Sequence, residues 1–263
     1  MLLVIDLGNT NIVLGIYSRE KLVHHFRITT PENLSIDECG LLVKHLLAEA
    51  KINWRKIKDV VLSSVVPRLT SVFERMVFQY LQKKPLIVGA HLKTGLKIMY
   101  DNPTQVGADR IANAVAGFEI YGGPLIIVDL GTATTFDVIS KNAEYLGGVI
   151  APGLLTASQE LFRRAAKLYQ IELSPPTKII GTNTEESLRT GIILGTIGQI
   201  DGIVKRIWQE LGEETRVIAT GGLAYLVAND SETIEKVDRF LTLEGLRRIH
   251  LKNKSNIKNQ ISK

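Results

Sequence analysis

The stretch Leu2-Leu3-Val4-Ile5-Asp6-Leu7-Gly8-Asn9-Thr10-Asn11 decides how this chain is read, because its core recurs as Leu125-Ile126-Ile127-Val128-Asp129-Leu130-Gly131-Thr132-Ala133-Thr134. Each copy is an apolar run of strand character that ends in Asp-Leu-Gly. A second strand-like stretch follows each, over residues 12–17 and 135–139. Gly permits the turn and lets backbone approach a ligand closely. The N–H groups of such a turn can cradle phosphate oxygens. A single copy also reads as an ordinary Asx turn. The second copy, nearly half of the 263-residue chain further on, points to two related halves with a nucleotide in the cleft between them.

Outward from the first copy, strand signals cover 2–6, 11–17 and 22–28, followed by a helix over 35–51, a strand over 60–64, a helix over 71–81 and a short strand over 85–88. From the second copy, strands cover 125–129, 134–139 and 144–150, then a helix over 154–169, a loop at Ser174-Pro175-Pro176, a helix over 184–211 and a strand over 216–220. Three hairpin strands, a helix, a strand and a helix, written twice, predict an α/β protein of two related domains. Their expected ranges are 1–117 and 118–251, with 252–263 a basic, disordered tail.

With 45% hydrophobic and 22% charged residues, the composition is that of a soluble globular protein. The net charge of +5 comes from the C-terminus, where Arg247, Arg248, Lys252, Lys254, Lys258 and Lys263 stand with no acid among them. No aromatic residue is interleaved with these charges, so nucleic-acid binding is not expected. A single cysteine, Cys39, excludes an internal disulfide and suits a reducing cytoplasm. No uncharged apolar run reaches about 18 residues, so no membrane span is expected. The N-terminus lacks the basic region of a secretion signal.

Four segments carry candidate chemistry. In the first hairpin, Asp6 can hold Mg²⁺, which prefers carboxylate and phosphate oxygens, while Asn9, Thr10 and Asn11 add side-chain hydrogen bonds. In the second, Asp129 can hold another cation and Thr132 can reach a phosphate. Third, Thr220-Gly221-Gly222 lies between a strand and an expected helix, where a flat adenosine can lie against backbone. Fourth, Gln105-Val106-Gly107-Ala108-Asp109-Arg110 opens a helix. Asp109 would lie in its first turn, where the macrodipole favours the ionised form. Such an Asp is a modest base, and phosphoryl transfer asks for little more than orientation of a hydroxyl and late proton acceptance. Arg110 can pair with a substrate carboxylate or a phosphoryl group. The alternative for Asp109 is an N-cap with a solvent salt bridge.

Gly191, Gly195, Gly198 and Gly202 recur at helical spacing on one face of the long helix. Each costs a helix about 1 kcal/mol relative to Ala, so another backbone is expected close by, from the other domain or from a second subunit. Gly147-Gly148-Val149-Ile150-Ala151-Pro152-Gly153 reads as a substrate wall. There is no G-x-x-x-x-G-K-[ST] loop, no G-x-G-x-x-G after a strand, and no G-x-S-x-G elbow.

Together these motifs resemble the acetate kinase/sugar kinase/Hsc70/actin superfamily, with its ribonuclease H-like (actin-like) domains. Val106-Gly107-x-Asp109-Arg110 and Gly147-Gly148-x-Ile150-x-Pro152-Gly153, in a chain this short, narrow the resemblance to the type III pantothenate kinases. The resemblance implies ATP- and Mg²⁺-dependent phosphorylation of pantothenate to 4'-phosphopantothenate, the first step of coenzyme A biosynthesis. It implies ATP contacts from Asp6, Leu7, Gly8, Asn9, Thr10, Asn11, Ile12, Val13 and Thr132. Asp109 becomes the base for the hydroxyl, and Asp129 the ligand of a monovalent cation such as K⁺ or NH4⁺. Tyr100, Gly107, Ala108, Asp109, Arg110 and Thr184 line the pantothenate pocket. The family is homodimeric, with the Thr184 position reaching that pocket across the dimer. The competing readings are another small-molecule kinase or a polyphosphate hydrolase of the superfamily, a non-catalytic transcription accessory protein, and an actin-like filament former.

Overall fold

The computed structural model describes residues 1–261, with side chains described through Lys254. The chain divides into two compact units, Met1–Ala116 together with Leu241–Lys263, and Gly117–Phe240.

In the first unit, β1 (Leu2–Leu7), β2 (Asn11–Ser18) and β3 (Lys21–Thr29) form the antiparallel meander. β4 (Asp59–Ser64) runs parallel to β1, and β5 (Leu86–Ile87) parallel to β4, giving the strand order β3-β2-β1-β4-β5. A short strand β6 (Lys97–Ile98) follows. Alternation along the strands sends Leu3, Ile5, Leu7, Ile12, Leu14, Val60 and Leu62 to one face. There they meet α1 (Ile36–Glu49) and α2 (Pro67–Leu81). Helix α1 starts at Ser35, whose hydroxyl and the Glu38 carboxylate form a reciprocal capping box. Pro67 occupies the first turn of α2, where its missing N–H costs nothing. Cys39 is fully buried in this core, and burial pushes its thiol up to about 12, so it packs and does not react.

The second unit repeats the plan. β7 (Leu125–Leu130), β8 (Ala133–Ile139) and β9 (Glu144–Pro152) form the meander. β10 (Arg216–Thr220) runs parallel to β7, and β11 (Lys236–Val237) parallel to β10. The order β11-β10-β7-β8-β9 is that of the first unit read from the other edge. α3 (Ala108–Tyr121) links the units, α4 (Leu154–Arg164) is shorter than the expected 154–169, and α5 (Thr184–Leu211) has the expected limits. The expected duplicated α/β fold is therefore present.

The C-terminus departs from expectation. Residues assigned to the end of the second half and to a disordered tail form one helix, α6 (Leu241–Ile261), grouped with the first unit. Ser262 and Lys263, the last residues of the expected tail, lie outside the described residues. Helix α6 covers the sheet face opposite α1 and α2, where Leu243 reaches Gly15 beside Val4. A Cβ on Gly245 would meet the Ala112 carbonyl oxygen at 1.9 Å, so this glycine lets α6 lie directly on the backbone of α3. Asn253, 1% exposed, accepts from the Lys93 N–H and donates to the Lys93 carbonyl at 3.1 and 2.9 Å. That closed pair of bonds satisfies a loop that otherwise lacks a strand partner.

The expected close packing of the glycine stripe is also absent within the chain. A Cβ at Gly191, Gly195 or Gly198 would meet nothing within 4 Å, and at Gly202 only the Arg206 guanidinium at 3.4 Å.

Candidate active site

Because Ile5 and Leu7 enter the α1/α2 core, Asp6 between them points to the opposite face, the one that α6 covers. Its parallel neighbour across the sheet is Ser63 and its antiparallel neighbour is Val13. Ser63 is fully buried, and its hydroxyl oxygen has no hydrogen-bond partner. An orphaned buried hydroxyl beside a carboxylate brings together two oxygens of the kind that Mg²⁺ prefers. The sequence reading missed Ser63, although a Ser-Ser pair ending a buried strand is a visible signal.

Between the last paired residues Leu7 and Ile12 the turn holds Gly8, Asn9, Thr10 and Asn11. The Gly8 N–H donates to the Asn11 carbonyl at 3.0 Å, and Thr30 Oγ1 donates to the Gly8 carbonyl at 2.7 Å. Asn9 and Thr10 are exposed. Leu7 and Ile12 turn their side chains fully into the core, so any contact they make with a ligand is through backbone. Val13 lies beside Asp6 on the same face.

Asp109 sits in the first turn of α3, with Ala108 before it and Arg110 after it, both buried. One carboxylate oxygen accepts from the Arg110 N–H at 2.8 Å. A Cβ on Gly107 would meet that oxygen at 2.5 Å, so a side chain there would displace the Asp109 carboxylate. Burial raises the Asp109 pKa, and the opposing hydrogen bond and charge of Arg110 do not reverse it. Desolvation thus opposes the helix dipole, which by itself favours the ionised form. Helix α3 touches α6, and α6 in turn lies on the Asp6 face of the first unit. Tyr100, half-buried, follows β6 in the same unit.

In the second unit the equivalent carboxylate is Asp129, again on the face opposite the main core. Only Gly131, Thr132 and Ala133 separate the paired residues Leu130 and Thr134. The Gly131 N–H donates to the Ala133 carbonyl at 3.1 Å. The neighbours of Asp129 are Thr135 on β8 and Thr220 on β10. The Thr135 hydroxyl is buried without a hydrogen-bond partner. A carboxylate between two hydroxyl-bearing residues suits a cation that takes several oxygen ligands.

Two glycines press on this hairpin. Gly221, at φ +94°, would bring a Cβ within 2.6 Å of both the Asp129 carboxylate and the Leu130 carbonyl. A Cβ on Gly153 would meet the Thr132 carbonyl at 2.3 Å, and Thr156 Oγ1 donates to the same carbonyl at 2.7 Å. Gly222 leads into a single 3-10 turn, Ala224–Leu226, in place of the expected helix. Thr184 is exposed at the start of α5, where the Asn183 side chain accepts from the Glu186 N–H. Among the described residues, no group of three or more His, Cys, Asp or Glu could hold a metal. No described helix is long and apolar enough to cross a membrane.

Comparison with known proteins agrees with this geometry. The type III pantothenate kinase family profile matches residues 2–206. A type III pantothenate kinase of Geobacter sp. (strain M21) is 54% identical over 254 residues, 97% of this chain and 100% of that protein. The type III pantothenate kinase of Brevibacillus brevis is 50% identical over 255 residues, again 97% of this chain and 100% of the relative. Among solved structures, MreB 5 of Spiroplasma citri bound to AMPPNP superposes with a TM-score of 0.60 at 13% identity, covering 98% of both chains. Component A of the (R)-2-hydroxyglutaryl-CoA dehydratase of Acidaminococcus fermentans gives 0.58 at 13% identity, covering 97% of this chain and 98% of the other. These two likenesses show the fold, the duplicated domains of the actin-like superfamily.

Proposed function

This chain belongs to the type III pantothenate kinase family, and from that premise we propose how its residues divide the work of the reaction. The reaction is ATP-dependent phosphorylation of pantothenate, an entry step of coenzyme A biosynthesis.

Asp109 is the group that orients the pantothenate hydroxyl and accepts its proton. The observation that carries this is its placement: a desolvated carboxylate at the start of α3, the helix that packs against α6, which covers the Asp6 face. A raised pKa brings it closer to the working pH, which favours proton acceptance. Arg110 anchors the acid end of pantothenate, and Tyr100, Gly107, Ala108 and Thr184 complete the pocket. Asn9, Thr10, Asn11 and the hairpin backbone from Asp6 to Val13 hold the phosphates of ATP, joined by Thr132. Gly221 and Gly222 back the nucleoside. Asp6, with Ser63 beside it, would hold Mg²⁺, which supplies charge neutralisation on the phosphate oxygens. Asp129, flanked by Thr135 and Thr220, would hold K⁺ or NH4⁺. Catalysis by these residues is positioning and electrostatics.

The protein works as a homodimer. Supporting this, Gly191, Gly195 and Gly198 are exposed, with nothing within 4 Å of a Cβ placed there, and Gly191 and Gly195 line a groove of about 380 Å³ between α4 and α5. A second copy of α5 can bring its backbone against that face. A cytoplasmic location is part of the same reading, supported by the buried free thiol of Cys39.

ADP release measured with pantothenate, with and without K⁺, tests the proposal. Parent protein should turn over and respond to K⁺. Asp109→Asn should lose about 10²–10⁴-fold in kcat while still binding ATP. Near-normal turnover in that variant would remove Asp109 as the base.

A further inference from the structure

Thr30 follows the last residue of β3 and has no part in the division of work above, yet it holds the first phosphate turn at two points. Its backbone N–H donates to the Thr10 carbonyl at 2.9 Å, and its hydroxyl donates to the Gly8 carbonyl at 2.7 Å. We propose that Thr30 is a positioning residue of the phosphoryl-donor site: by holding these two carbonyls it aims the N–H groups of Asn9 and Asn11 at the phosphates of the donor. This deepens the proposed function and rests on it, because that reading places the phosphates at this turn.

The peptide unit is planar and trans, so the carbonyl of one residue and the N–H of the next point in opposite directions. The Gly8 carbonyl shares its plane with the Asn9 N–H, and the Thr10 carbonyl with the Asn11 N–H. Both carbonyls are anchored on Thr30, so both N–H groups are turned away from it. The clamp sits where the turn is most pliable. A Cβ on Gly8 would meet the Asn11 carbonyl oxygen at 2.9 Å, so glycine lets the turn close, and glycine also leaves the peptide after it free to reorient. The Thr30 hydroxyl removes that freedom. A turn held in this way does not have to reorganise when an anion arrives.

Thr30 is itself stiff. Its β-branch restricts the side chain, and Pro31 confines the residue before it to extended backbone. The Pro31 carbonyl accepts in turn from Arg68 Nη2 at 3.3 Å, from the first turn of α2. The hydroxyl has one proton to donate, and Gly8 takes it, so Thr30 acts through the turn and not by donating to a phosphate. The second hairpin carries the same device from a different element: Thr156, on α4, donates its hydroxyl to the Thr132 carbonyl at 2.7 Å.

The test is calorimetric binding of AMPPNP and of inorganic tripolyphosphate, each with Mg²⁺, to the parent protein, Thr30→Val and Thr30→Ser. Melting temperatures and the KM values for ATP and pantothenate are measured alongside. Valine keeps the branched shape and the backbone N–H and removes only the hydroxyl, whereas serine keeps the hydroxyl. Thr30→Val should weaken AMPPNP and tripolyphosphate by the same factor, about tenfold, the scale of one lost hydrogen bond. It should raise the KM for ATP and leave that for pantothenate within about twofold. Thr30→Ser should recover most of the loss. Unchanged affinity for both ligands in Thr30→Val, whatever its melting temperature, would overturn the proposal, as would an equal loss in the two variants. A parent protein that binds AMPPNP but leaves pantothenate unphosphorylated would count against the proposed function alone. A parent that binds neither ligand would overturn both.

Discussion

The hairpins β1–β2 and β7–β8 begin with the same Asp-Leu-Gly and hold the same place in their sheets, yet the second turn is one residue shorter. Four residues lie between Leu7 and Ile12, three between Leu130 and Thr134. In the first hairpin, Val13 stands opposite Asp6, and the longer turn presents Asn9 and Thr10 to solvent. In the second, the shorter turn brings Thr135 opposite Asp129 and sends Phe136 into the core. A shift of one residue exchanges the two faces of a strand. Residue identity at that register, Val13 in one hairpin and Thr135 in the other, therefore gives Asp6 one aliphatic and one hydroxyl-bearing neighbour and Asp129 a hydroxyl-bearing neighbour on both sides. On the proposed reading the duplicated frame carries two ion chemistries, one at a turn open to phosphates and one between two hydroxyl-bearing residues.

The largest test of this contrast is to shorten the first turn to the length of the second by deleting Asn9. Misplacing the phosphate-binding amides by about 1 Å or more should cost at least about 10²-fold in kcat/KM, read in the ADP-release assay. Retained activity would mean that turn length does not separate the hairpins. Next is Gly221→Ala, which forces a side chain into a left-handed backbone and against Asp129. It should destabilise by about 1–3 kcal/mol, seen as a lower melting temperature, and should weaken the response to K⁺. Third, Thr135→Val removes the hydroxyl opposite Asp129 and keeps the shape. It should raise the K⁺ needed for half-activation by about tenfold, as for loss of one oxygen ligand, and leave the Mg²⁺ requirement alone.

The smallest effect concerns stability. Burial raises the Asp109 pKa above its unfolded value, so the folded state favours the proton. The stability this contributes is fully present below the ordinary Asp range and is lost as pH rises through the raised pKa. Asp109→Asn cannot ionise, so it should melt above the parent at neutral pH. The gap should close as the pH falls to about 4. An unchanged gap across that range would show that Asp109 is not desolvated.

Much of this was legible in the sequence because the repeated strand-turn-strand carries its own register. The apolar runs before Asp6 and Asp129 could only be buried strands, and the limits of α5 follow from Asn183 as cap and Gly212 as a left-handed stop. Helix α6 was hidden for a physical reason. Its buried stripe includes Arg247, His250 and Asn253 alongside Leu243 and Leu246, so the apolar periodicity breaks. Arg247 is partnered by Glu244 at 2.6 Å and Asn253 by the backbone of Lys93, while His250 Nε2, 3.4 Å from the Asp59 carboxylate, is buried without a hydrogen bond. Ser63 was hidden because its role depends on the register between β1 and β4, which no local pattern states. The glycine stripe in α5 was legible as an interface signal, and among the described residues nothing lies within 4 Å of a Cβ placed at Gly191, Gly195 or Gly198.

The central claim is that the two carboxylates hold different cations, and the Asp129→Asn variant tests it most directly. Initial rates of ADP release with pantothenate should be measured across separate titrations of Mg²⁺ and K⁺, against the parent protein. The account predicts that the K⁺ response disappears while the Mg²⁺ concentration for half-maximal rate stays within about twofold, because only one binding site has been changed. A variant that still responds to K⁺ but needs far more Mg²⁺ would contradict it.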